Sequence, residues 1–310
     1  MSRSLVAAKK GSKASGAASL QERIAGHFED LSPQLRVAAR YVAEHPQEVA
    51  MRSLRQIASS MALPPPTFTR LARSVGCGTY EELREICRLE TSRRTRTFAE
   101  KAQSLQRHGD RASKRSEPRE PGALLREQVS AAIGNLESTL AGIDLGRLAA
   151  AADVLATAEK VVLIGSLSST AFTDYTGYMA GMAFANWRTA GTNSTSMPAS
   201  LVDVGKRAAV LVVTKSPYAR KSVDAASLAH RAGAQIVAIT DGLQSPVMRF
   251  AHHSFIVATD SPNFFPSHAA TVVLLETLIG MVIRRSGRSA QQRIAAVENA
   301  NRENGEYCHV

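Results

Sequence analysis

Lys160-Val-Val-Leu-Ile-Gly165-Ser-Leu-Ser-Ser-Thr170 is the stretch on which the fold turns. Its apolar run is short, unbroken and rich in β-branched side chains, so it has no polar face and reads as a strand buried on both sides. Gly165 ends the run, and the hydroxyl residues that follow open a helix. The same phrase recurs at Ala208–Thr214, Gln235–Thr240 and Ser254–Ala258. Helical periodicity fills the gaps at about 169–185 and 218–232, follows at 266–286, and precedes the first strand at 123–141 and 144–157. Buried strands alternating with helices define an α/β unit over 123–288, with a parallel sheet covered on both faces.

Upstream the pattern changes. Leu20, Ile24, Phe28 and Leu31 share one helical face, and Leu35, Val37, Ala38, Tyr41 and Val42 another. Ser32-Pro33 is a helix start, His45-Pro46 a stop, and short helices are expected at about 53–61, 65–75 and 79–90. Residues 20–92 therefore form an all-helical domain. Within it, the segments 53–64 and 65–75 have helix-turn-helix form: Ile57, Ala58 and Leu63 supply packing points, and prolines stand where the second helix begins. Phe68, Leu71 and Val75 face the core, which leaves Thr67, Thr69, Arg70 and Arg73 for solvent or DNA.

Charge supports that assignment. The 310 residues carry a net charge of +11, and the excess is concentrated at the front. Residues 1–120 hold 22 basic and 13 acidic side chains, net +9, while 121–310 are close to neutral at +2. No acidic residue lies between Val49 and Tyr80, yet Arg52, Arg55, Arg70 and Arg73 do, so a polyanion would meet only attraction there. The alternative for this module is a small helical bundle with a solvated basic face.

Residues 1–19 are expected to be a disordered basic tail, 93–122 a basic linker and 289–310 a C-terminal tail. Cys77, Cys87 and Cys308 are too few and too scattered for a disulfide framework or a zinc cluster, and fit a reducing cytoplasm. The longest apolar stretch, Ala269–Ile283, is interrupted by Glu276 and falls short of a membrane span. The N-terminus has no continuous apolar core of the signal-peptide kind. No membrane partner and no cofactor are expected.

On these residues the chain resembles the MurR/RpiR family of bacterial transcription regulators. The resemblance rests on Ile57, Ala58, Leu63, Thr67, Phe68 and Arg70, then on Gly76, Tyr80, Glu82 and Leu83, and on Asn135-Leu-Glu-Ser-Thr-Leu140, which is similar to the helix by which that family enters its second domain. Pro64 and Pro66 depart from the usual residues at the start of the reading helix. The resemblance implies a C-terminal SIS (sugar isomerase) domain of flavodoxin-like fold that binds phosphorylated sugars. It also implies a homo-oligomer, dimer or tetramer, whose affinity for a double-stranded DNA operator changes with the ligand. Arg70, Thr67, Thr69 and Arg73 would then read or clamp DNA, with Arg52 and Arg55 on phosphates.

Helix N-termini at the carboxyl ends of parallel strands are where an anion belongs. The turn after the first strand offers Gly165, Ser166, Ser168 and Ser169; Gly165 and Ser169 match the family's phosphate turn, and Leu167 replaces its second glycine. The turn after the second apolar run is Thr214-Lys-Ser-Pro-Tyr-Ala-Arg-Lys-Ser222. Thr214 and Ser216 match in type, whereas Pro217 and Ala219 replace a glycine and a phosphate-holding threonine. Proline has no amide hydrogen to donate, which weakens the cradle. Lys215, Tyr218, Arg220 and Lys221 offer charge or a phenol, although solvated surface is the commoner fate of such residues. Ser267 stands at a third family position. Each hydroxyl has helix capping as its plainer reading.

An enzymatic alternative is a sugar-phosphate isomerase of the SIS type. It needs a base near the sugar carbon and commonly a histidine to open the ring, and only His268 and Glu276 fall in a suitable region. There is no P-loop, no dinucleotide fingerprint and no metal-ligand spacing. The reading taken is therefore a regulator with no catalytic residues, controlled by a phosphorylated sugar or related anion.

Overall fold

The computed structural model describes residues 20–95, 97–113, 122–192 and 195–308. The tail expected at 1–19 and the 114–121 part of the expected linker lie outside them. The chain divides after Arg94 into two compact units.

The first unit is helical: α1 (Leu20–Ala25), α2 (Pro33–Glu44), α3 (Pro46–Met51), α4 (Leu54–Ser60), α5 (Pro65–Ser74) and α6 (Tyr80–Thr95). Ser53 caps α4 in a capping box with Gln56, and proline opens α2, α3 and α5, where a missing donor costs nothing. The core is built from Ala38 and Val42 of α2, Ile57 of α4, Phe68 and Leu71 of α5 and Leu83 of α6, all fully buried. The ring of Phe68 meets Tyr80 edge-on at 6.5 Å.

The second unit holds α7 (Phe98–Ser113), α8 (Ala123–Gly142), α9 (Leu145–Thr157), β1 (Lys160–Ile164), α10 (Thr170–Ala183), β2 (Trp187–Thr189), β3 (Ala208–Val213), α11 (Arg220–Arg231), β4 (Gln235–Thr240), β5 (His253–Ile256) and α12 (Ala269–Glu303). The strands form one parallel sheet in the order β2-β1-β3-β4-β5. That is the flavodoxin-like order. Strand residues alternate between two cores. Val161, Leu163, Leu211, Val237 and Ile239 pack against α9 and α12, while Val162, Ile164, Val210, Val212 and Ile236 pack against alanines of α11.

Three elements depart from the expectations. β2 has three half-buried residues and no apolar run, so an edge strand of this kind leaves no periodic signal. The segment expected as a basic linker contains α7. Its start is a Thr97–Glu100 capping box, in which the Thr97 amide donates to Glu100 Oε2 at 2.7 Å and the Glu100 amide to Thr97 Oγ1 at 3.2 Å. High charge concealed that signal. The C-terminal tail expected at 289–310 is largely helical, because α12 resumes after a break at Gly287, whose φ is +60°.

Candidate functional site

β1 and β3 are neighbours, but their crossovers lie on opposite faces of the sheet: α10 packs with α12 on one side and α11 covers the other. Their carboxyl ends therefore diverge, and this switch point is where open α/β sheets leave a crevice. A cavity of about 270 Å³ opens there. Ser166, Leu167, Ser168 and Ser169 line it from the turn after β1. Thr214, Lys215, Ser216, Pro217 and Ala219 do so from the turn after β3, with Phe265, Pro266 and His268 from the loop before α12 and Phe98 from α7.

The first turn is tight. A Cβ on Gly165 would sit 2.6 Å from the Ser169 carbonyl oxygen and 2.8 Å from Thr173 Cγ2, so only glycine fits. Leu167 has φ +55°, the left-handed conformation that glycine adopts freely, and its side chain is 74% exposed. The departure from glycine at this position therefore carries backbone strain and gains no burial. Ser222 donates its hydroxyl to Ser166 Oγ at 2.9 Å and ties the two turns together.

The second turn places its charge inside. Lys215 is 6% exposed, its Nζ lies 4.8 Å from the centroid of the Phe172 ring, and that nitrogen has no hydrogen-bond partner among the described residues. Burial pulls its pKa down to about 7, against the opposing attraction of Asp241. His268 packs between Phe172, at 4.7 Å, and Phe265, at 5.7 Å, with neither ring nitrogen bonded. Burial first, and then the Lys215 charge, lower its pKa to about 4, so the imidazole is neutral at neutral pH. The Ser216 amide is occupied, donating to Asp241 Oδ2 at 3.0 Å.

α8 sets the third wall. Asn135 is buried and grips Asp260 at both ends, its Nδ2 donating to the Asp260 carbonyl at 2.8 Å and its Oδ1 accepting from the Asp260 amide at 2.9 Å. Thr139 Oγ1 accepts from the Ala258 amide at 3.0 Å. These bonds hold the chain that carries Phe265 and His268 to the cavity.

Of the sequence-derived ligand residues, Ser166, Ser168, Ser169, Thr214 and Ser216 line the cavity, and Gly165 shapes its turn. Tyr218 and Ser267 are off the lining; the buried Ser267 instead donates its amide to the Thr259 carbonyl at 3.0 Å. Lys215 is enclosed rather than solvated, with its ammonium over the Phe172 ring. Phe98, Phe265 and Pro266 were missed, since nothing local in the sequence marks residues that reach a site from distant elements. Glu276 is exposed, accepts the Tyr175 hydroxyl at 2.6 Å and is off the lining, so the pair His268 and Glu276 does not meet in the cavity.

On the helical unit, Arg55, Arg70 and Arg73 are exposed and Thr69 is half-buried. Thr67 corrects the expectation: it is fully buried, its hydroxyl has no partner among the described residues, and it cannot reach DNA as α5 stands. It lies next to Phe68 on the core-facing side of the helix. Arg52 donates to Glu48 Oε2 at 2.7 Å, and that oxygen also accepts the Tyr41 hydroxyl at 3.0 Å, so its charge is partly spent within the unit.

Among the described residues, no cluster of three or more His, Cys, Asp or Glu could hold a metal, and no helix is long and apolar enough to cross a membrane. The sheet order and the cleft at its switch point define a flavodoxin-like α/β domain with a candidate ligand site.

Residues 154–281 match the SIS domain family, so the second unit carries a SIS domain. An uncharacterized HTH-type transcriptional regulator of Caldanaerobacter subterraneus is 22% identical over 255 residues, covering 79% of this chain and 82% of that one. Among solved structures, the sugar isomerase domain of an RpiR transcription factor from Sphaerobacter thermophilus superposes with a TM-score of 0.54 at 21% identity, over 57% of this chain and 98% of its own. The Vibrio vulnificus NanR protein, complexed with ManNAc-6P, gives 0.53 at 18% identity over 91% and 98%. The second unit thus matches the SIS domain, and most of the chain is similar to an HTH-type transcriptional regulator.

Proposed function

We propose that this chain is a cytoplasmic transcriptional regulator whose affinity for an operator is set by a small anionic metabolite bound in the SIS cavity. The observation that carries the reading is the pairing, in one chain, of a helix-turn-helix whose exposed face bears Arg70 and Arg73 with a separate cavity that holds a buried ammonium at the sheet's switch point. Arg70, Arg73 and Thr69 of α5 would enter the major groove, with Arg55 on the phosphate backbone and Arg52 a weaker contributor. Because NanR holds a phosphorylated amino sugar, phosphorylated sugars are the first ligand class to test.

Two features support a coupled oligomer. Leu125, Val129 and Ile133, at four-residue spacing on α8, are exposed apolar side chains that a second copy could cover. Phe98 opens α7 three residues after the end of α6, and its ring packs on Phe265, 5.1 Å away, in the cavity wall. A ligand that moves Phe98 would act on the covalent connection to the helical unit, and so on the spacing of two readers.

The test is binding of the full chain to duplex DNA from upstream of its own gene, by fluorescence anisotropy at fixed salt. Specific binding that a metabolite shifts supports the reading. Affinity equal to that for scrambled duplex overturns it.

A further inference from the structure

We infer that the anionic group recognised in the cavity is a carboxylate held by Lys215, so that the ligand is a small polyhydroxylated acid and not a phosphate ester. The inference rests on the SIS cavity being the effector site, and it names the ligand's chemistry.

Four backbone donors around the cavity are already used. The Ser169 amide donates to the Ser166 carbonyl, Thr170 to Leu167, Thr214 to Ile239 and Ser216 to Asp241, and Pro217 has no donor. A phosphate dianion brings two charges and three acceptor oxygens, and in α/β turns it is normally met by free amides. Here four of those amides are committed within the protein, and Pro217 offers none.

The charges also fit a monoanion. Lys215 is the cation on the lining, buried and without a hydrogen-bond partner among the described residues, which is an expensive state for an ammonium unless a ligand pairs with it. Asp241 stands behind the same turn with Oδ1 buried and unbonded, and its negative charge opposes a second charge on the ligand. His268 is neutral and has an imidazole N–H free to donate. One ammonium and one imidazole N–H match the two oxygens of a carboxylate. The hydroxyls of Ser168, Ser169 and Ser216 are left for the alcohol groups of the ligand's body, and the rings of Phe98 and Phe265 close the cavity against a larger one.

The experiment uses the full chain at mildly acidic pH and matched ionic strength, with thermal shift and calorimetric titration. The probes are gluconate and glucuronate, against glucose 6-phosphate, N-acetylmannosamine 6-phosphate and potassium chloride. The expected result is that a sugar acid stabilises the protein more than either phosphate, and that Lys215→Met weakens its binding at least about tenfold. Methionine keeps the buried stem and removes the charge, and Lys215→Gln serves as second variant if the first does not fold. Stronger stabilisation by a phosphate ester, or acid binding indifferent to both substitutions, overturns the carboxylate assignment and leaves the regulator reading standing. Stabilisation by neither class overturns the assignment, and the effector reading is then decided separately by whether any metabolite shifts DNA binding.

Discussion

The ammonium of Lys215 lies 4.8 Å from the centroid of Phe172, and it has no hydrogen-bond partner among the described residues. A cation over an aromatic face recovers only part of the hydration lost on burial, so the amine titrates at about 7 where an ordinary lysine does so at 10.5. Below the lower value both folded and unfolded chains are protonated there and stability does not change with this group. Between the two, only the unfolded chain holds the proton, so stability rises with pH by up to about 1.4 kcal/mol per unit. Lys215→Met should abolish that rise and make the protein more stable near neutral pH. Urea unfolding of both proteins across the interval checks it, and parallel stability curves refute it.

The turn after β1 makes opposite predictions two residues apart. Gly165→Ala forces a Cβ to 2.6 Å from a carbonyl oxygen and should cost about 2 kcal/mol or more, because backbone must move. Leu167→Gly removes a strained φ from a side chain that buries little, and should gain up to about 1 kcal/mol. Denaturation midpoints decide both. A destabilised Leu167→Gly would mean that the exposed leucine makes a contact outside the isolated chain.

Asn135 is a positioning residue. Asn135→Ala leaves the amide and carbonyl of Asp260 without partners and should cost about 2–3 kcal/mol. The same change frees the segment that carries Phe265 and His268, so ligand-induced stabilisation should fall by more than global stability alone explains. Thr139→Val removes one bond and should cost about 1 kcal/mol. Ligand titration at a temperature where the variant is folded separates the two effects.

The sheet was legible because each buried strand is a continuous apolar run, and Gly165 with its serines marked the switch point from a single turn. What the sequence hid shares one cause. Phe98 and Phe265 come together only through tertiary contact, and their local contexts are a charged helix and a proline-containing loop. Lys215 looked like a solvated cation because its burial depends on Phe172, in the first turn of the neighbouring α10. Thr67 was misassigned by one helical step. With Phe68 and Leu71 on the core side, periodicity also draws the adjacent threonine inward.

Thr67 and Arg70, three residues apart on α5, should therefore separate stability from recognition. Thr67 buries a hydroxyl without a partner among the described residues, so Thr67→Val should hold or raise stability, by up to about 1 kcal/mol, and leave DNA affinity unchanged. Arg70 is exposed, so Arg70→Ala should leave the melting temperature unchanged and weaken specific binding by about 1–3 kcal/mol if the guanidinium meets a base edge. If it meets only a phosphate, affinity should fall alike for specific and scrambled duplex, with the salt slope reduced by about one. Anisotropy titrations over a series of salt concentrations distinguish these outcomes. Loss of specific binding in Thr67→Val with Arg70→Ala silent would place the reading surface on another face of α5.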